Sequence, residues 1–207
     1  MLYRFLTALG RIVFALLGLK VEGLENLPAT GPVIVAANHV SNWDPIVIAI
    51  ALNRPIHFMG KVQLFKYRPL ASFFRSLNAF PVRAGMADRA AIRQALKVLE
   101  CGQVLGIFPE GRRNRSGELL AESGVILIAV RSGAPILPVA CLGTQYQLPW
   151  GWGRPLRVQI GEPYCLLNSL GRTSRIADME DPSRDLMDKI RQLYDQAWDN
   201  ASGHGGG

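Results

Sequence analysis

At 207 residues, 49% of them hydrophobic, the chain is long enough for one domain with a sizeable core and too apolar to be intrinsically disordered. Its net charge of +7 favours anionic partners: a phosphorylated substrate, an acidic carrier protein, an anionic membrane or nucleic acid. The three cysteines, Cys101, Cys141 and Cys165, are odd in number and lack CxxC or zinc spacing, so they read as reduced cytosolic thiols in apolar contexts.

Across residues 2–19 only Arg4 and Arg11 carry charge. The uninterrupted apolar run, 12–19, is far shorter than the roughly 20 residues that span a bilayer. No small-x-small cleavage pattern follows it, so it is a poor signal peptide. Arg4 and Arg11, seven apart, share a helical face, with Leu2, Phe5, Leu6, Leu9, Ile12, Val13 and Leu16 largely elsewhere. That pattern predicts an interfacial helix with its arginines at the lipid headgroups. The alternative is a helix packed on the domain core. Residues 22–31, punctuated by Gly23, Asn26, Pro28 and Gly31-Pro32, read as a linker.

Residues 33–37 read as a buried strand and 46–52 as a short helix. Between them lies Asn38-His39-Val40-Ser41-Asn42-Trp43-Asp44-Pro45. Pro45 fits the first helical position and Asp44 the N-cap. A histidine and a carboxylate thus sit at a strand-to-helix turn, outside the carboxyl end of a strand, where α/β proteins commonly place chemistry. Such a pair can take a proton from a hydroxyl. On the bland reading Asp44 is only a cap and Ser41 only a turn former.

Residues 55–59 predict a second strand, ending at Gly60-Lys61. Residues 64–77 mix apolar and basic side chains and predict a helix from about Pro69. Phe80-Pro81-Val82 is a short strand. Asp88 caps a helix with apolar positions Ile92, Ala95, Leu96 and Leu99, closed by Gly102. The strand 104–108 breaks into the loop Pro109-Glu110-Gly111-Arg112-Arg113-Asn114-Arg115-Ser116-Gly117. Residues 124–130 are ambiguous by pattern, and Gly133 behind them favours a helix. Strands follow at 136–141 and 156–160. The last helix starts at Asp181-Pro182, with Leu186, Met187, Ile190, Leu193, Tyr194 and Ala197 on one face. The tail from Ser202 is Gly-rich and expected to be disordered.

Alternating strands and helices argue an α/β fold: a mixed, largely parallel sheet flanked by helices, with an N-terminal membrane-interface helical segment. The expected organisation is an amphipathic membrane-associating segment at 1–27, a domain at 28–201 and a tail at 202–207. From Arg54 to Lys97 there are nine basic residues and one acidic, Asp88, which suits a phosphate-binding or membrane-facing surface as well as a solvated one. No nucleic-acid partner is expected, because no helix-turn-helix, zinc-finger or RNP pattern occurs. P-loop, G-x-G-x-x-G, H-E-x-x-H and G-x-S-x-G motifs are absent. His39 therefore has no evident protein nucleophile to activate and is better placed to deprotonate a substrate hydroxyl directly.

Four segments, in order and covering roughly residues 33–141, resemble one family, the glycerolipid acyltransferases, best known as 1-acyl-glycerol-3-phosphate (lysophosphatidate) acyltransferases. Asn38-His39-Val40-Ser41-Asn42-Trp43-Asp44 resembles its N-H-x-S-x-x-D signature. Lys61 with Leu64-Phe65, then Phe80-Pro81-Val82-Arg83, resembles the second block. Phe108-Pro109-Glu110-Gly111 followed by Arg113 resembles F-P-E-G-[TS]-R, and Ala134-Pro135-Ile136-Leu137-Pro138-Val139 resembles the fourth. Arg112, Ala84 and Glu122 depart from the usual pattern, and they bear on head-group contacts rather than on reaction type.

The resemblance implies acyl transfer from acyl-CoA or acyl-carrier protein to the free hydroxyl of a lysophospholipid, most directly 1-acyl-glycerol 3-phosphate giving phosphatidate. His39 would be the general base and Asp44 would fix its tautomer. Glu110, Gly111, Arg113, Lys61 and Arg83 would form the substrate site. No metal and no cofactor beyond the acyl donor is implied. The partners would be membrane lipid, the lysophospholipid acceptor and the donor, at the cytoplasmic face of the cell membrane, with the protein peripheral or monotopic. Glycerol 3-phosphate or a lyso-ornithine lipid are alternative acceptors, and a non-catalytic lipid-binding membrane protein or a thioesterase are alternative functions.

Overall fold

A computed structural model describes residues 2–83, 88–110, 124–146, 155–166 and 180–203. Among the described residues seven strands form one sheet: β1 (Leu19–Glu22), β2 (Val33–Ala37), β3 (Ile56–Lys61), β4 (Phe80–Val82), β5 (Val104–Ile107), β6 (Ile136–Leu142) and β7 (Leu156–Ile160), in the order β1-β7-β6-β2-β5-β3-β4. Every pairing is parallel except β6 with β7. The α/β expectation of a mixed, largely parallel sheet therefore holds.

Among the described residues there are six α-helices: α1 (Leu2–Leu16), α2 (Asp44–Ala51), α3 (Arg68–Ser76), α4 (Arg89–Glu100), α5 (Gly124–Ser132) and α6 (Glu180–Ser202). β2 is a run of Val, Ile and Ala because both of its faces are covered. Val33, Val35 and Ala37 pack in a core with Phe14 of α1 and Val47 and Ile48 of α2. Ile34 and Ala36 face the opposite core, built from α4, α5 and α6 through residues such as Ala95, Ile126 and Leu186. The register sets Ala36 beside Ile107 and Ala37 beside Val139, so β2, β5 and β6 finish at one rim.

Asp88 caps α4 as expected, accepting from the N–H groups of Ala90 and Ala91. Two expectations need correction. First, the sheet begins ahead of residue 28: Leu19–Glu22 pairs with β7, and Asn26 Nδ2 holds the following turn by donating to the Ile160 carbonyl at 3.1 Å. With only Leu19 and Val21 apolar, this edge strand carries too little pattern to be read. Second, Arg11 is not free for headgroups. Its Nε and Nη2 donate to the carbonyls of Ile50 and Leu52 at 3.0 and 2.6 Å, satisfying the open carbonyl end of α2.

α1 is in fact two-sided. Tyr3 accepts from the Ile56 N–H at 3.1 Å, Phe14 is buried, and Gly10 lies so near Ile50 that a Cβ would meet it at 2.7 Å. Meanwhile Leu2, Phe5, Leu9, Ile12, Val13 and Leu16 stay exposed. No helix among the described residues is long and apolar enough to cross a membrane. The cysteines also differ from expectation: Cys141 is buried, but Cys101 and Cys165 are exposed, and all three are free. Residues 204–207 of the tail, with His204, lie outside the described residues.

Candidate active site

The rim formed by the carboxyl ends of β2, β5 and β6 carries the site. β2 ends at Ala37, and the chain turns through Asn38 to Trp43 before α2. Asn38 fixes this exit. Its side-chain amide donates to the Cys141 carbonyl at 3.0 Å and accepts from the Cys141 N–H at 2.7 Å, clamping the end of β2 to β6.

His39 Nδ1 lies 2.9 Å from Asp44 Oδ2, and the Asp44 side chain is 0% exposed against 16% for His39. Asp44 does not cap the helix that it opens. Its carboxylate turns back over the loop, where Oδ2 accepts from the N–H groups of Val40 and Ser41, both at 2.7 Å. Two backbone donors and an imidazole converge there, outweighing a capping bond to α2. Oδ1 accepts a hydrogen bond from the hydroxyl of Thr144, which is itself fully buried. Four donors thus compensate a buried carboxylate, the condition under which such a charge is tolerated. The arrangement places the proton of the neutral imidazole on Nδ1 and leaves the Nε2 lone pair as an acceptor. No described residue bonds Nε2.

The imidazole is stacked on Phe108, centroids 4.1 Å apart, and Phe108 in turn on Phe58 at 5.7 Å. These rings restrict the imidazole plane from the β5 and β3 side. Glu110 Oε1 accepts from the His39 N–H at 3.2 Å, while its Oε2 is buried with no partner among the described residues. Burial pushes the Glu110 carboxyl above the ordinary carboxylate range, opposed by the His39 N–H. Burial also pushes the Cys141 thiol well above its usual range, so Cys141 is no thiolate partner for His39.

Lys61 and Arg83 close the ends of β3 and β4 and are exposed. They line an open cavity of about 550 Å³ with Val62, Gln63 and Leu64. Strands lie about 4.8 Å apart, so Lys61 stands two strand spacings, about 10 Å, along the rim from β2, and Arg83 three, about 14 Å. The structure brings His39, Asp44 and Glu110 into contact and sets Lys61 and Arg83 together further along the same rim. Gly111 and Arg113, with Arg112 and Arg115, lie outside the described residues. Sequence reasoning missed Thr144, Asn38 and Phe108 as parts of the site. Asn38 and Phe108 stood within quoted motifs, whereas Thr144, 100 residues from Asp44, had no spacing signal. Among the described residues no cluster of three or more His, Cys, Asp or Glu could hold a metal ion.

A family model described as Acyltransferase matches residues 18–142. A 1-acyl-sn-glycerol-3-phosphate acyltransferase of Bacillus subtilis (strain 168) is 30% identical over 200 residues, covering 94% of this chain and 100% of that protein. A protein of the same name from Borreliella burgdorferi is 33% identical over 140 residues, covering 65% of this chain and 56% of that one. The crystal structure of the 1-acyl-sn-glycerophosphate (LPA) acyltransferase PlsC from Thermotoga maritima superposes with a TM-score of 0.68 at 28% identity, covering 91% of this chain and 79% of that chain.

Proposed function

From the premise that the chain belongs to the Acyltransferase family and is an O-acyltransferase, we propose that it acylates the free hydroxyl of 1-acyl-glycerol 3-phosphate, giving phosphatidate. The donor is acyl-CoA or acyl-carrier protein, used as co-substrate. The observation that carries the reading is the His39–Asp44 pair: an imidazole with Nδ1 tied to a fully buried carboxylate and Nε2 bonded by no described residue.

His39 Nε2 takes the proton as the acceptor oxygen attacks the thioester carbonyl, and Asp44 stabilises the imidazolium that forms. Collapse of the tetrahedral intermediate breaks the C–S bond. The proton passes from the imidazolium to the departing thiolate, leaving an ester and a free thiol. A thioester is already activated, so the step needs no enzyme nucleophile. Lys61, Arg83 and Arg113 hold the acceptor phosphate, lysine as a point charge and arginine as a fork. Lys61 stands on the rim that carries His39, two strands along from β2. Glu110 has a buried oxygen unpartnered among the described residues, and its proposed role is to orient Arg113.

The exposed face of α1 rests in the membrane interface, at the cytoplasmic side where thioester donors are available. Because Arg11 and Phe14 tie α1 to the domain, point substitution tests this better than deletion. Phe5→Ser with Ile12→Ser should weaken binding to anionic liposomes without unfolding the chain. The activity itself is tested by offering the purified protein an acyl donor and a panel of lysophosphatidate, glycerol 3-phosphate, lyso-ornithine lipid and monoacylglycerol, read by mass spectrometry. Phosphatidate should dominate. Faster acylation of another acceptor, or release of free fatty acid alone, would overturn the assignment.

A further inference from the structure

A second apolar surface, apart from α1, reaches solvent. The 3₁₀ turn Val62–Phe65 and α3 expose Val62, Leu64, Tyr67, Leu70 and Phe73, and within α3 only Ala71 is buried. The segment is firmly built from beneath. Phe65 covers Gly60 so closely that a Cβ there would stand 3.1 Å from the ring, and Phe65 and Phe74 pack with centroids 6.0 Å apart. The surface is therefore held apolar-side out by the fold.

Its charge is one-signed. From Arg54 to Arg83 there are six basic residues and no acidic one. Arg54 is spent on the carbonyls of Pro28, Gly31 and Gly102, but Lys66, Arg68 and Arg75 are exposed around the apolar patch. Aromatic and aliphatic side chains bordered by lysine and arginine suit the headgroup layer of an anionic bilayer. Position agrees. The segment leaves the end of β3, at the rim that carries His39. The far end of α1 reaches the same rim, where Phe14 lies 6.4 Å from the Trp43 ring.

We propose that the 3₁₀ turn and α3 are a second lipid-contact surface for anionic bilayers, which with α1 seats the rim against the membrane so that a lipid acceptor reaches His39 without leaving it. The purpose of this seating rests on the lipid-acceptor reading above; the contact itself does not. The test is vesicle flotation of the full chain on phosphatidylglycerol-containing and pure phosphatidylcholine vesicles. Its arms are wild type, Leu70→Ser with Phe73→Ser, Lys66→Glu with Arg68→Glu, and the α1 pair Phe5→Ser with Ile12→Ser.

The apolar pair should lose on the order of tenfold in partitioning to both vesicles. The charge pair should lose on the order of fivefold per charge, only where phosphatidylglycerol is present. Turnover of a short-chain acceptor below its micellar limit should be unchanged in both. Wild-type flotation by the α3 variants, while the α1 variant is released, overturns the second surface and spares the first. Unchanged flotation with a raised KM for acyl-carrier protein assigns the surface to an acidic donor protein, and unchanged flotation with loss of a dimer on sedimentation assigns it to a second copy; either result overturns the proposal. Failure of the acyltransferase reading would show separately, as the wrong product in the acceptor panel.

Discussion

The rim is built in two ways along its length. At β2 and β6 every carboxylate oxygen of Asp44 is bonded, the carboxylate is out of water, and His39 is clamped between it and Phe108. At β3 and β4, two and three strands away, Lys61 and Arg83 are exposed beside an open cavity and make no side-chain hydrogen bond or ion pair with a described residue. The contrast suits the two roles proposed for these residues. Proton transfer requires a fixed geometry, since small misplacements cost rate steeply. Holding a phosphate requires charges with unspent donors, which a satisfied network cannot offer.

Substitutions should separate the two regions. The largest effect belongs to the bonded corner. Asp44→Asn should cut kcat by about 10²- to 10⁴-fold, with little change in the acceptor KM, because the imidazole loses its tautomer control. At the open edge, a hydrogen bond to a charged group contributes roughly 1.5–3 kcal/mol. Lys61→Ala or Arg83→Ala should therefore lower kcat/KM for 1-acyl-glycerol 3-phosphate by about 10- to 150-fold, mainly through KM. Neither should matter for monoacylglycerol. Equal losses on both acceptors would assign these cations to the donor or to structure.

Thr144→Val should lower kcat about tenfold and destabilise the fold by about 1–3 kcal/mol, by leaving Asp44 Oδ1 buried and unbonded. Thr144→Ser, which keeps the hydroxyl, should restore most of both. Thr144→Val should add to Arg83→Ala within about 0.5 kcal/mol, since the sites are far apart, but not to Asp44→Asn. Strong coupling between corner and edge would break the division.

The smallest effect is on stability. The raised Glu110 carboxyl binds more protons in the folded chain than in the unfolded one, so its contribution is present in acid and lost as pH rises through the raised value. Denaturant midpoints from mild acid to neutrality should fall less for Glu110→Gln than for wild type.

Much of this corner was legible before folding was considered. The apolar run of β2, Pro45 and the five-residue step from His39 to Asp44 are local, and local patterns survive in sequence. The role of Asp44 was half legible: its place at the helix start was clear, but its side chain turns backward because the loop N–H groups and His39 offer more donors than the helix does. Thr144 was not legible, because its contact exists only once β6 lies parallel beside β2. Arg11 was misread because the carbonyls that capture it, at the end of α2, are a tertiary feature. Strand order was likewise beyond the sequence, and with it the fact that Lys61 and Arg83 are neighbours.

The account rests most directly on His39 as the proton acceptor. The measurement is single-turnover acyl transfer by folded His39→Ala, with folding checked by circular dichroism and product quantified by mass spectrometry. A loss of about 10²- to 10⁴-fold in the chemical step, with acceptor binding retained, is predicted. A folded variant that keeps more than about a tenth of the wild-type rate, well outside that expected loss, would contradict it.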